Sequence, residues 1–291
     1  MPPSLKQFVT DGLAHLRRKP DIEEAEIFAS LNTTLTCRIN YTSHIPCNGL
    51  EEPKSLQTRG VGLRIAFKNG SGLKTGFGQE TGSLTLDGVE SAYRKAREGA
   101  VFDPDFHALP EPRPSEVILR DYHDPALLSL SDADLVDMGW KTINRALEEF
   151  ERATLLQAHP PRSLGLILGG DVTLLQEEMA IASTRLRAAE DDTSTMLFAS
   201  LTAMIEKMNG KGSGWSAATR LAGFDGSAGG MAVRNALRSA GGGTRVAGGI
   251  YPVVLAPQAV ADIMSNVLIP SLRLDTFYAG NSAFQGKLGA P

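Results

Sequence analysis

The sequence predicts an α+β protein, and three observations carry that prediction. Apolar and polar residues alternate from Ala25 to Tyr41 and again from Val61 to Phe67, where Asn69-Gly70 follows. This is the two-residue period of half-buried strands, closed by a tight antiparallel turn. Apolar residues recur at helical spacing from Leu5 to Leu16 and from Leu135 to Phe150. Beyond residue 160 the character changes to short apolar runs separated by glycines and acidic residues, the pattern of an antiparallel meander. The expected architecture is an N-terminal α+β domain over 1–160, with a long antiparallel sheet and flanking helices. A mostly antiparallel β C-terminal domain over 161–291 follows.

Each element has its own warrant. Ser4 and Gln7 have capping-box spacing, Leu5, Phe8, Val9, Leu13 and Leu16 share one helical face, and Pro20 ends the helix. The alternation from Ala25 to Tyr41 exceeds an ordinary strand, so a bend or turn is expected near Asn32. Leu73, Thr75 and Phe77 form the hairpin partner of Val61–Phe67. Asp87 and Glu90 open the next helix, whose buried face is Val89, Ala92, Tyr93, Ala96 and Ala100. Prolines at 104, 110, 112 and 114 mark an extended surface loop. Ser131 and Asp134 cap a long helix through Leu135, Met138, Ala146, Leu147 and Phe150, and Pro160-Pro161 ends it. Strands are expected at 164–168, 172–175, 179–182 and 196–205, with Glu190 to Ser194 as a hairpin tip and Gly210 to Gly214 as a loop. A helix over 227–239 precedes a buried strand at Val253–Leu255, bounded by Pro252 and Pro257. A short helix through Val260, Ile263, Met264, Val267 and Leu268 then ends at Pro270. No internal repeat is visible.

Composition narrows the function classes. With 291 residues, 42% apolar and 21% charged, the chain belongs with globular proteins that bury a sizeable core. A net charge of -4, without a basic stripe, argues against a nucleic-acid surface. The two cysteines, Cys37 and Cys47, fit a reducing compartment, and no apolar run has the length of a membrane span. A cytoplasmic protein without nucleic-acid or membrane partners is expected. Several motifs fail on spacing. Gly210-Lys211-Gly212-Ser213 lacks the phosphate-loop pattern because position 206 is glutamate, and no Gly-x-Ser-x-Gly elbow occurs. Glu177-Glu178 and Asp191-Asp192 are adjacent pairs that point to opposite faces of a strand. His123-Asp124 reads as a loop pair, Trp140 as a core residue and Trp215 as a loop anchor.

The last stretch carries the functional reading. Tyr251-Pro252-Val253-Val254-Leu255 leads without gaps into the short helix, and Ser282, Phe284, Gly286 and Gly289 follow it. This frame resembles the TldD/PmbA family, the two-subunit metallopeptidases also called modulators of DNA gyrase. In catalytic members the helix carries His-Glu-x-x-x-His, whose histidines bind zinc while the glutamate activates water. The resemblance puts that motif at 265–270, where this chain has Ser265, Asn266 and Pro270 at the three functional positions. A hydroxyl, an amide and an imino ring supply neither ligand pair nor base, and none of the five histidines lies three or four residues from another. No catalytic or metal residue is therefore assigned. Gly60-Val61-Gly62-Leu63-Arg64, the hairpin and the alanine-rich helix also resemble the family's N-terminal domain.

The resemblance implies a PmbA-like, non-catalytic subunit. It would enclose an unfolded peptide while a TldD-like partner supplies the zinc, with no cofactor in this chain. The alternative from another class is a self-associating, homodimeric peptide-binding or scaffolding protein that captures peptide at a sheet edge. A self-sufficient metallopeptidase ranks last. Family members continue past Gly289 with further strands and a metal-binding cysteine. The resemblance therefore implies an incomplete C-terminal domain, loosely packed or held by another chain from about Thr276.

Overall fold

In the computed structural model, which describes residues 4–70, 72–104, 106–112, 119–153, 161–241, 243–287 and 289, the first helix begins where its cap predicts. The Ser4 hydroxyl accepts from the Gln7 amide at 3.2 Å, and α1 (Leu5–Leu16) buries Phe8, Val9, Leu13 and Leu16. β1 (Ile22–Thr42) then runs 21 residues without a turn at Asn32. Neighbours pair with it on both sides through that point, Thr58 on one and Glu177 on the other, so the ladder stays continuous. β2 (Gly49–Leu50) pairs with β1, while β3 (Lys54–Asn69) and β4 (Gly72–Thr81) form the expected hairpin. The cap of α2 (Leu86–Glu98) is Thr85 rather than Asp87, and Val89, Ala92, Tyr93 and Ala96 are buried as expected. β5 (Val101–Phe102) pairs with β4; α3 (Pro125–Leu128) follows, and α4 (Asp132–Arg152) has the full Ser131–Asp134 capping box.

After α5 (Pro161–Leu164), β6 (Leu166–Ser183) and β7 (Glu190–Ile205) are single long strands rather than a meander of short ones. Gly169-Gly170 is not a turn. A Cβ on Gly170 would overlap the Ser200 carbonyl oxygen of β7, so glycine permits close strand approach there. The acidic residues Glu190 to Asp192 lie inside β7, opposite Ile181, Ala180 and Met179, and so do not form a tip. Gly210 to Gly214 belongs to β8 (Gly210–Ala218), where Gly210, Gly212 and Gly214 let the backbone of α6 (Ser227–Ala240) press onto the strand. Trp215 lies on β8, and Trp140 covers Gly49 and is partly exposed, so neither has its expected place.

All these strands form one antiparallel sheet in the order β5-β4-β3-β1-β6-β7-β8, with β2 beside β1. The chain packs as two compact units, Met1–Gly243 and Thr244–Pro291. The boundary expected at 160 adjoins residues 154–160, outside the described residues, and the strands on either side of it, β1 and β6, are hydrogen-bonded to each other.

The first unit is built from two structural repeats, so the expectation of no internal repeat does not hold. The series α1-β1-β3-β4-α2 and α4-β6-β7-β8-α6 have the same order, and the two meet along β1–β6. One constant offset relates β3 to β7, Gly76 and Gly78 to Gly212 and Gly214, and Ala92 and Ala96 to Ala228 and Ala232. At each place a glycine lets an alanine-rich helix lie against an edge-side strand, since a Cβ on Gly78 or Gly214 would overlap Ala92 O or Ala228 O. Each half keeps its own buried cluster, one under α1 and α2 and the other under α4 and α6. Ala25, Ile27, Ala29, Cys37 and Ile39 point to these clusters, so all four helices cover the same sheet face. The other face carries Phe28, Ser30, Asn32, Thr34 and their cross-strand partners, half-exposed or exposed.

Tyr93 ties α2 to the start of β1, donating to both Asp21 carboxylate oxygens at 2.8 and 2.9 Å. Burial, then the Asp21 hydrogen bond and charge, push its phenol up to about 12. The folded state therefore keeps a proton that the unfolded chain loses near pH 10, and this stabilisation is full below pH 10 and lost as pH rises towards 12. Tyr93→Phe is expected to flatten that alkaline fall by about 2 kcal/mol, read from urea midpoints of both proteins between pH 9 and 12.

Candidate functional site

The positions singled out in the sequence lie in the second unit. Residues 251–255 are not a strand. No described strand pairs with them, Pro252 lacks an amide proton, and Val253 and Val254 are 73% and 99% exposed. The helix that follows is α7 (Pro257–Ile263), started by Pro257 in its first turn. Met264–Leu268 is a π turn, and α8 (Ile269–Ser271) continues through Pro270, so the proline does not end the helix. Its ring would clash with the carbonyl four residues back in a regular α-helix, and the widened turn relieves that conflict. A last short helix, α9 (Leu274–Tyr278), follows.

Ser265 and Asn266 lie on the π turn and are exposed, and Pro270 is half-buried. A π turn bonds residues five apart, which rotates positions 265 and 270 towards one side of the helix. The Asn266 amide is already engaged, with Nδ2 donating to Asp262 O at 2.9 Å. Ser282, one of the flanking residues, ties the following segment to the helix: its hydroxyl donates to Ser271 O at 2.6 Å and accepts from the Phe284 amide at 3.0 Å. Of the described residues from Thr276 onward, Ser282 alone is buried. The donor set does not fit zinc, since these three positions offer no imidazole or carboxylate, and among the described residues no three His, Cys, Asp or Glu side chains group as ligands. No catalytic step is derived through a metal in this chain.

The second feature is the open sheet face of the first unit, which sequence spacing did not mark. Cross-strand pairing brings Gln79, Gly62, Phe28, Ile181 and Glu190 into one line across five strands. At one end, a depression of about 640 Å³ lies over Gly62, between Phe28 and Phe77, with Glu26 and Arg64 paired at 3.0 Å beside it. At the other, a depression of about 390 Å³ has Phe28, Met179 and Ile181 as its floor and Glu190 and Asp192 at its rim. Tyr122 stands over this second one, its hydroxyl donating to Asp192 at 2.8 Å, and that hydrogen bond raises the phenol's pKa. Asp191 points the other way, to Lys6 Nζ at 2.7 Å, as expected of adjacent strand residues. His123-Asp124 is structural. Asp124 caps α3 by accepting from the Ala126 amide at 2.9 Å, and it also accepts from the Leu221 amide at 3.0 Å; both bonds lower its pKa.

Residues 248–291 match the PmbA/TldA metallopeptidase C-terminal domain. A modulator of DNA gyrase from Thermotoga maritima has the same fold, with a TM-score of 0.66 at 17% identity over 98% of this chain and 59% of that one. One from Bacteroides thetaiotaomicron gives 0.69 at 14%, over 97% and 60%. TldE from Thermococcus kodakarensis gives 0.59 at 15%, over 97% and 57%. The chain thus spans about six-tenths of the length of each of these proteins. No curated protein matches it in sequence. Residues 248–291 thus match that family's C-terminal domain, and nearly the whole chain shares the fold of these three proteins.

Proposed function

We propose that the chain is a PmbA-like subunit of a TldD/PmbA-type peptidase, handling unfolded peptide while a TldD-like partner supplies zinc and the hydrolytic chemistry. The observation that carries this reading is the helix itself. The flanks of the family's metal site are kept around it, while Ser265, Asn266 and Pro270 stand where ligands and base belong. The expected setting is the cytoplasm, which suits two free cysteines; no helix among the described residues is long and apolar enough to cross a membrane.

Capture of peptide by strand addition, the homodimeric alternative, finds part of both long edges occupied. Ser239 Oγ bonds the amide and carbonyl of Lys211 on β8, Asn235 bonds Ser213 O, and Lys95 bonds Gln79 O on β4. This favours the open face over the edges as the place where peptide is met.

The purified chain is expected to hold well under one zinc per molecule and to leave unfolded peptides uncut. Hydrolysis is expected to appear on adding a partner that bears His-Glu-x-x-x-His. Metal analysis and a fluorogenic peptide assay read both. Stoichiometric zinc with cleavage by this chain alone overturns the proposal.

A further inference from the structure

The depression beside Glu190 joins an apolar surface to an acidic one. Phe28, Met179 and Ile181 make an apolar floor, and Glu190 and Asp192 project from the same side of β7 at its rim. Among the described residues, neither carboxylate forms an ion pair with a Lys or Arg side chain. Among the described residues, Asp192 is held by the Tyr122 hydroxyl alone among side chains, and Lys6, paired with Asp191, attracts Glu190 through space without an ion pair to it. Such a site suits a long cationic side chain, whose methylenes lie on the apolar floor while its charge reaches the carboxylates. Nearby, the Asn32 side-chain oxygen is enclosed without a hydrogen-bond donor, so this part of the face has an excess of acceptors.

The larger depression at the other end also carries charged side chains, but they are paired, Arg64 with Glu26 at 3.0 Å and Lys95 with Glu80 at 2.8 Å. Gly62 leaves open space above the sheet, with Phe28 and Phe77 exposed on either side of it. It suits an apolar or aromatic side chain. From β3 to the far side of β6 is about three strand spacings, roughly 14 Å. An extended chain covers that distance in about four residues, and residues four apart project to the same side.

We propose that the open sheet face binds an extended peptide crossing the strands. An apolar side chain sits over Gly62 between Phe28 and Phe77, and a Lys or Arg four residues away sits on Met179 and Ile181 against Glu190 and Asp192. This rests on the peptide-handling reading above and adds a side-chain preference to it.

The test uses the 291-residue chain and labelled peptides with the core Phe-Ala-Ala-Ala-Lys, together with versions carrying norleucine or Glu for Lys, or Ala for Phe. The Lys peptide is expected to bind about fivefold tighter than the norleucine peptide, with the advantage shrinking as salt rises. Replacing Phe by Ala is expected to weaken binding by a similar factor. Glu190→Lys is expected to remove the preference for Lys and to favour the Glu peptide. Glu190 is exposed, and Glu190→Gln provides a second variant without reversed charge, expected to narrow the Lys advantage. Equal affinity for the Lys and norleucine peptides, or a preference that survives Glu190→Lys, overturns the inference. Indiscriminate binding of all the peptides overturns it while leaving the peptide-handling reading intact; no binding by any of them overturns both.

Discussion

Gly78→Ala and Gly214→Ala are each expected to destabilise the fold by about 3 kcal/mol or more, the upper end of overpacking effects. The added methyl group would overlap backbone oxygens, Ala92 O in one half and Ala228 O in the other. A backbone carbonyl inside a helix cannot rotate aside as a side chain can, so the helix would have to lift from the strand. Gly62→Ala and Gly169→Ala are the matched controls, because a Cβ at either meets nothing within 4 Å. They should change stability by no more than about 0.5 kcal/mol. Urea midpoints at constant slope separate the two classes. Equal, small losses at all four positions would show that the helices do not sit as close to the strands as described.

The second large effect concerns a buried carboxylate. Glu24 is 8% exposed; its side chain accepts from Arg185 Nε at 2.6 Å and from the Leu109 amide at 2.6 Å. Arg185→Met is expected to lower the stability clearly, because it leaves the buried Glu24 carboxylate with one amide for company. Replacing both partners, as Glu24→Leu with Arg185→Met, should cost less than Arg185→Met alone, since two apolar side chains carry no uncompensated charge. Denaturation of the single and double variants, with Glu24→Leu completing the cycle, measures the difference. A double variant weaker than both singles would mean that the pair matters by its shape rather than its charge.

Much of the fold was legible in sequence because the signals were local. The Ser4 and Ser131 caps and the apolar faces of α1, α2 and α4 appear where periodicity puts them. Most of the misreadings share one physical cause, since the meaning of a residue there depends on a neighbour distant in sequence. Gly170 and Gly212 look like turn residues in isolation, yet each marks where β7 or α6 lies too close for a side chain. The polar residues Glu190 to Asp192 looked like a tip because nothing local reveals that they pair with Ala180 and its neighbours. At the carboxyl end, apolar content suggested a buried strand at Val253–Leu255, but burial needs a partner and no described strand provides one. The altered helix was readable through the spacing of its flanks, whereas the π turn around Ser265 was not. The line from Gln79 to Glu190 was hidden as well, because it depends on the register of five strands far apart in sequence.

The duplicated architecture also shapes how the molecule can go wrong. The halves touch along an antiparallel seam in which Glu26 to Thr42 pair with Ser183 to Ile167, and each brings most of its own interior. Such a seam is a subunit contact enclosed within one polypeptide. A molecule that opened along it would offer a second, similarly opened molecule the same bonding it had lost. Exchanged dimers, favoured by high concentration and mild denaturant, are the misassembly that this construction invites.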